Sequence, residues 1–321
     1  MSQALDYITV YGDSYSDVQL ATKRSNGPIW SEQLAKVWDT QLVSKATPGA
    51  TFCSNTKPNG SWLQKQVHDD ITLNSQDKST VQIIFLGVTD LIETKGEATP
   101  HIKEWIRCIE DQIKFLYSLN PKSRIVVMGV PALEFSPYAM THKSDTANLK
   151  QNIIEFNVAL EEQILDWRTD VSDQIEFFDT YLAFSDVLGD PSVLHIEDVE
   201  NAYWDRCQGQ CVDPIDSYLW WDTIHLTGAG HKAISNTLQS KEFFQLQPIS
   251  VEETGSMNEL VPVIPQKYIR CVSWFMLGAI VVMIFYMFRH NRVVVSLKKR
   301  IQTKAAMMYS SSRNTHEYTL V

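Results

Sequence analysis

Between residues 7 and 240, short apolar runs alternate with longer stretches in which apolar residues recur every three or four positions. The short runs at 7–11, 41–46, 81–86, 124–130 and 174–178 predict strands. Three of them carry almost no polar residue, as strands covered on both faces require. The longer stretches predict helices over 28–38, 100–119, 146–170 and 227–238. Pro28 suits a first helical turn, and Asn120-Pro121 is a stop signal. In the third stretch Leu149, Ile153, Phe156, Leu160, Ile164 and Trp167 form one stripe. Strands and helices in alternation predict an α/β fold, a parallel sheet with helices on both faces. Ligands of such sheets bind beyond the carboxyl ends of the strands. Gly12-Asp13-Ser14 follows the first predicted strand and Gly87-Val88-Thr89-Asp90 the third, so both belong to one edge.

The pattern changes at 271–288, CVSWFMLGAIVVMIFYMF, where only Ser273 is clearly polar and Arg270 and Arg289 stand at the ends. As a helix these 18 residues span about 27 Å, enough for a bilayer core, with Trp274 and Tyr286 near the two interfaces. A buried core helix is the alternative, but a soluble domain seldom contains a helix with no polar face and basic flanks. The expected organisation is a globular domain over 1–245, a linker over 246–270, a transmembrane helix over 271–288 and a basic, disordered tail over 289–321.

Charge follows the same division. The 321 residues carry a net charge of −10, yet the tail has seven basic residues and one acidic residue, a net +6, which leaves −16 for residues 1–288. An acidic body argues against a nucleic-acid partner. The positive-inside rule puts the tail in the cytoplasm and the body in a lumenal or extracellular space. No signal-peptide pattern precedes the first strand. Either the body is cytosolic and the segment is a tail anchor, or a leader lies outside the sequence as given. Cys207 and Cys211 are spaced for a local disulfide, which would suit an oxidising compartment, or they are two neighbouring free thiols. No second Cys/His pair stands at zinc-ligand spacing, which argues against a zinc site there. Asn59-Gly60-Ser61 is a glycosylation triplet.

Candidate chemistry sits at two places. Ser14, in Gly12-Asp13-Ser14-Tyr15-Ser16-Asp17, offers a hydroxyl nucleophile at a strand-to-helix turn, although helix N-capping is a common role for serine. Far downstream, Asp222-Thr223-Ile224-His225 places a carboxylate three residues before an imidazole, so Asp222 can accept from one ring nitrogen and leave the other free for Ser14. A surface hydrogen bond is the ordinary reading of such a pair. Trp220 and Trp221 beside it could wall an acyl site or belong to the core. His231 reads as structural or exposed, and His68-Asp69-Asp70 as a solvated helix end.

The first of these segments resembles the opening block of the SGNH, or GDSL-type, hydrolases. Gly49, in Ala46-Thr47-Pro48-Gly49-Ala50-Thr51, is similar to the family's second-block glycine. Gly87-Val88-Thr89-Asp90 resembles the third block, and Asp222-Thr223-Ile224-His225 the fifth. Ser25-Asn26-Gly27-Pro28-Ile29-Trp30, and Cys211-Val212-Asp213-Pro214 leading into Tyr218-Leu219-Trp220-Trp221-Asp222, resemble the plant and fungal branch. The similarity covers roughly residues 7–240. It implies a flavodoxin-like three-layer sandwich and a serine esterase or lipase without cofactor or metal. It further implies Ser14 as nucleophile, His225 as base then acid, and Asp222 as its orienter. The oxyanion donors it implies are the backbone N–H of Ser14, that of Gly49, and a third-block side chain. There the chain departs from the pattern: Thr89 stands where the family has asparagine. The expected function is a membrane-anchored carboxylic ester hydrolase acting on an acyl or acetyl ester, either a lipid or an acetylated carbohydrate. The alternative is a weak or inactive hydrolase fold acting as a tethered binding module.

Overall fold

The computed structural model describes residues 5–18, 25–54, 60–69, 79–207, 210 and 214–240. Asn59, the Cys207–Cys211 pair and everything after residue 240, including the 271–288 segment, lie wholly or partly outside this set. Among the described residues no helix is long and apolar enough to cross a membrane.

The strands are β1 (Tyr7–Gly12), β2 (Gln41–Ser44), β3 (Thr80–Phe85), β4 (Arg124–Met128) and β5 (Ile175–Phe178), all parallel, in the order β2-β1-β3-β4-β5. The register between the central pair runs from Tyr7 opposite Thr80 to Gly12 opposite Phe85. Every residue of β3 is buried, because helices cover both faces of the sheet.

On one face α1 (Trp30–Val37) packs on α9 (Gly228–Ser240), which also meets α7 (Thr180–Gly189). On the other, α4 (Thr99–Leu119) packs between α2 (Leu63–His68) and α6 (Leu149–Asp170). The amphipathic stripe predicted for α6, Leu149, Ile153, Phe156, Leu160, Ile164 and Trp167, is the face it buries, and α4 buries a like face of Ile102, Trp105, Ile106, Ile109, Ile113 and Leu116. Pro28 precedes the N-cap Ile29 of α1 and so lies just outside the helix. Elements that hydrophobic periodicity does not reveal are α2, α7, α3 (Val88–Glu93), α5 (Pro137–Thr141), α8 (Tyr203–Cys207) and a two-stranded parallel ribbon of β6 (Asp198–Ala202) and β7 (Tyr218–Trp220).

The strand order reverses between β1 and β3, which opens a crevice at their carboxyl ends. Two buried side-chain amides finish the sheet at this edge. Gln66 of α2 accepts from the Gly12 N–H and donates to the Gly12 carbonyl, both at 2.8 Å. Asn157 of α6 accepts from the Val130 N–H at 2.8 Å and donates to its carbonyl at 2.9 Å. Each amide stands in for a neighbouring strand, so buried backbone groups at the strand ends stay paired.

A disulfide that the sequence does not single out joins Cys53, in the loop after β2, to Cys108 on α4, across a separation of 55 residues. In the chain-entropy account, a loop of that length contributes about 4 kcal/mol of stability.

Candidate active site

Residues 13–16 form a tight turn directly after β1, with the Ser16 N–H donating to the Asp13 carbonyl at 3.1 Å. Ser14 sits on this turn, and residues 19–24, where a following helix would begin, lie outside the described residues. Asp222 and His225 lie in an irregular loop between β7 and α9. That loop closes on itself through the Trp221 N–H to His225 carbonyl bond at 2.8 Å and is fastened to α5 by the Tyr138 N–H to Thr223 carbonyl bond at 2.7 Å.

The fold brings these distant segments together. His225 Nε2 is 2.9 Å from Ser14 Oγ. On the other side of the ring, His225 Nδ1 lies 2.7 Å and 2.9 Å from the two Asp222 oxygens. Asp222 Oδ1 also accepts from the N–H groups of Ile224 at 2.9 Å and His225 at 2.7 Å. Burial alone would raise the Asp222 pKa. The ring hydrogen bond and charge of His225, with the two backbone donors, outweigh it and hold the carboxyl below its ordinary 3.8. An ionised Asp222 obliges Nδ1 to carry the ring proton, which leaves the Nε2 lone pair to accept from the Ser14 hydroxyl. The arrangement can take a proton from Ser14 and hold the imidazolium that results.

Gly49 stands on the loop after β2 and Thr89 in the first turn of α3, just after β3, at the same sheet edge as Ser14. Gly49 adopts φ +73°, a left-handed conformation that suits glycine. Among the described residues, neither the Ser14 nor the Gly49 N–H donates to a protein group, and Thr89 Oγ1 has no partner. Gly87, at φ +116° before α3, has Val130 and Phe52 so close that a Cβ would meet the Val130 side chain at 2.7 Å. The Gly49 loop is held firmly. The Phe52 N–H donates to both Asp90 oxygens, at 3.2 and 3.3 Å, next to the Cys53–Cys108 bridge.

Two carboxyls lie buried behind the turn. Burial raises Asp13 to about 6 against the N–H groups of Tyr15 and Val88 and the charge of His225; its Oδ2 has no partner among the described residues. Burial likewise pushes Asp90 well above the usual carboxylate range, opposed by the Phe52 N–H and reinforced by the Asp13 charge. His231 is 2% exposed and burial, then the charge of His225, lowers it to about 3, so it is a neutral core histidine. His68 ends α2 exposed to solvent. Trp220 is core: it is fully buried and donates to the Val199 carbonyl at 2.8 Å. Trp221 is half-buried and stacks on Tyr203 with ring centroids 5.8 Å apart. Gln66, Asp90 and the disulfide partners carry no local signal of their roles; for Gln66 and Cys108 no motif surrounds them at all.

The buried Asp13 has a measurable signature. Its folded pKa of about 6 exceeds the ordinary 3.8, so the native state binds more protons than the unfolded chain between these values. Stability from this group therefore falls as pH rises from about 4 to about 6, by on the order of 3 kcal/mol. Asp13→Asn should lack that fall. Urea unfolding of both proteins across this range tests it, and parallel pH profiles overturn it.

The family model of the GDSL-like lipases and acylhydrolases matches residues 8–238. No curated protein sequence matches the chain. Similar solved structures include the extracellular lipase of Streptomyces rimosus, 15% identical over 73% of this chain and 99% of the other, with a TM-score of 0.46. Phospholipase A1 of Streptomyces albidoflavus NA297 is 15% identical over 74% and 100%, with a TM-score of 0.44. An acetylxylan esterase of Geobacillus stearothermophilus is 16% identical over 74% and 94%, also with a TM-score of 0.44. With the family model spanning most of the sequence, the chain belongs to the GDSL-like lipase/acylhydrolase family and is a serine ester hydrolase.

Proposed function

We propose that the protein is a membrane-anchored carboxylic ester hydrolase working through Ser14, His225 and Asp222. The observation that carries this reading is the continuous hydrogen-bond path from Ser14 Oγ through the imidazole to the Asp222 carboxylate. Ser14 Oγ attacks the ester carbonyl carbon as its proton passes to His225 Nε2. The carbonyl oxygen becomes an oxyanion, received by the N–H groups of Ser14 and Gly49 and the hydroxyl of Thr89. The C–O bond to the alcohol then breaks, and the departing alkoxide takes the proton from Nε2. A water molecule, deprotonated by the same nitrogen, attacks the acyl-enzyme. The acid leaves and Ser14 regains its proton. Asp222 holds the ring tautomer throughout.

The substrate is an acyl or acetyl ester of a lipid or a carbohydrate. The Ser25–Trp30 and Cys211–Asp222 stretches favour the plant and fungal branch of the family. Residues 271–288 support a single membrane span, and the basic tail supports a body on the lumenal or extracellular side. The Cys53–Cys108 bridge fits the oxidising environment of such a space.

A fluorophosphonate probe should label the protein, and Ser14→Ala should abolish the labelling. Folded wild-type protein that resists the probe overturns the reading and leaves the tethered binding module. Nitrophenyl esters graded by chain length, assayed beside acetylated xylan, separate lipid-like from acetyl-sugar preference. An asparagine amide at position 89 is a stronger oxyanion donor than a hydroxyl, and one such donor is worth about 10²–10³ in kcat. Thr89→Asn should therefore raise kcat on small esters at least about threefold; an equal or lower kcat counts against Thr89 as a donor. In sealed vesicles the chain should resist alkaline carbonate extraction, with its body shielded from added protease and its tail cut. Release by carbonate removes the anchor, and digestion of the body reverses the orientation.

A further inference from the structure

Tyr15 follows the nucleophile directly and is 1% exposed. Its side chain runs beneath the histidine loop, and its hydroxyl donates to the carbonyl of Ile224, the residue before His225, across 209 positions of sequence. Among the described residues no other group donates to that carbonyl. The near end of Tyr15 is anchored as well. Its N–H donates to Asp13 Oδ1 at 3.0 Å, and its carbonyl accepts from Trp30 Nε1 at 3.1 Å. The ring lies edge-on to Phe85 at 6.0 Å and to His231 at 6.4 Å, and its centroid is 6.1 Å from that of His225. Burial, with the charges of Asp13 and Asp222, pushes the phenol well above its usual range, so the hydroxyl keeps its proton and donates.

One side chain therefore joins the turn that carries Ser14 to the peptide that carries His225. Among the described residues, the backbone ties of Tyr138 to Thr223 and of Trp204 to Trp221 run to α5 and α8, and that of Trp221 to His225 stays within the loop; none of these three refers His225 back to the nucleophile. The contact between Ser14 and His225 is a single hydrogen bond whose geometry must survive each proton transfer. We propose that Tyr15 is a positioning residue: its hydroxyl, bound to the Ile224 carbonyl, sets the separation of Ser14 Oγ and His225 Nε2. A phenylalanine ring would fill the same space against Phe85 and His231 but leave the carbonyl without its donor, and the loop would lose its reference to the Ser14 turn.

This inference rests on the Ser14–His225 reading, and the experiment keeps the two apart. Tyr15→Phe, Ser14→Ala and wild type are compared in kcat and KM on a short nitrophenyl ester, in the rate of fluorophosphonate labelling, and in thermal melting. A further readout is the downfield proton signal of the His225 Nδ1–H shared with Asp222. Tyr15→Phe should lower kcat and labelling rate about tenfold, leave KM within about twofold, and shift or broaden that signal in protein that still melts cooperatively. Unchanged kcat and labelling in Tyr15→Phe, or a loss carried by KM alone, overturns the positioning role while the triad reading stands. Labelling that persists in Ser14→Ala, or is absent from folded wild type, overturns the triad reading itself. If Tyr15→Phe does not fold, Tyr15→Leu supplies apolar fill without a hydroxyl, and the same split between kcat and KM decides.

Discussion

A serine hydroxyl is a poor nucleophile unless a base sits within hydrogen-bond reach, and the imidazole proposed as the base of Ser14 lies 211 positions away in sequence. Closing that gap to 2.9 Å is the constraint around which the rest of the molecule is arranged. The central strand β1 delivers Ser14 to the crevice where the strand order reverses. The Asp222–His225 loop has no regular secondary structure to hold it. Hydrogen bonds from four directions fasten it instead: from α5 through Tyr138, from α8 through Trp204, from within through Trp221, and from the Ser14 turn through Tyr15.

Carboxyl groups around this crevice behave in opposite ways because their surroundings differ. Asp222 remains partly open to water and receives the imidazole and two N–H groups, so its charged form is favoured. Asp13 and Asp90 are sealed from solvent, and burial drives both towards the neutral form. Both still accept backbone N–H groups and so act as fasteners for the loops of Ser14 and Gly49. A carboxyl displaced towards neutrality also places less negative charge behind the proposed oxyanion site, an electrostatic arrangement that suits ester hydrolysis.

The Gly49 loop, proposed to supply an oxyanion donor, is fixed by redundancy. Asp90 holds its Phe52 N–H, the disulfide ties its Cys53 to α4, and Thr51 exchanges backbone hydrogen bonds with Ser61 and Leu63. Donors fixed before the reaction cost no reorganisation when charge appears. Thr89 contrasts with this rigidity, since its hydroxyl has no partner among the described residues to aim it.

Hydrophobic patterning located the five parallel strands and the helices α1, α4, α6 and α9 but not α7, because a strand covered on both faces must be apolar and a surface helix must show one apolar stripe. It also placed Ser14 and Thr89 at one sheet edge, and the order of motifs marked Asp222 and His225 as their companions. Local patterning overran the sheet edge: the apolar run continues to Val130, yet β4 ends at Met128 because the Asn157 amide takes the Val130 backbone groups. The Tyr15–Ile224 bond, the Gln66 clamp and the choice of Cys53 with Cys108 among five cysteines were decided by tertiary structure alone. Hydrophobic burial writes a periodic signal into neighbouring residues, whereas a hydrogen bond or disulfide between distant ones depends on where two backbones pass each other, which no local stretch of sequence records.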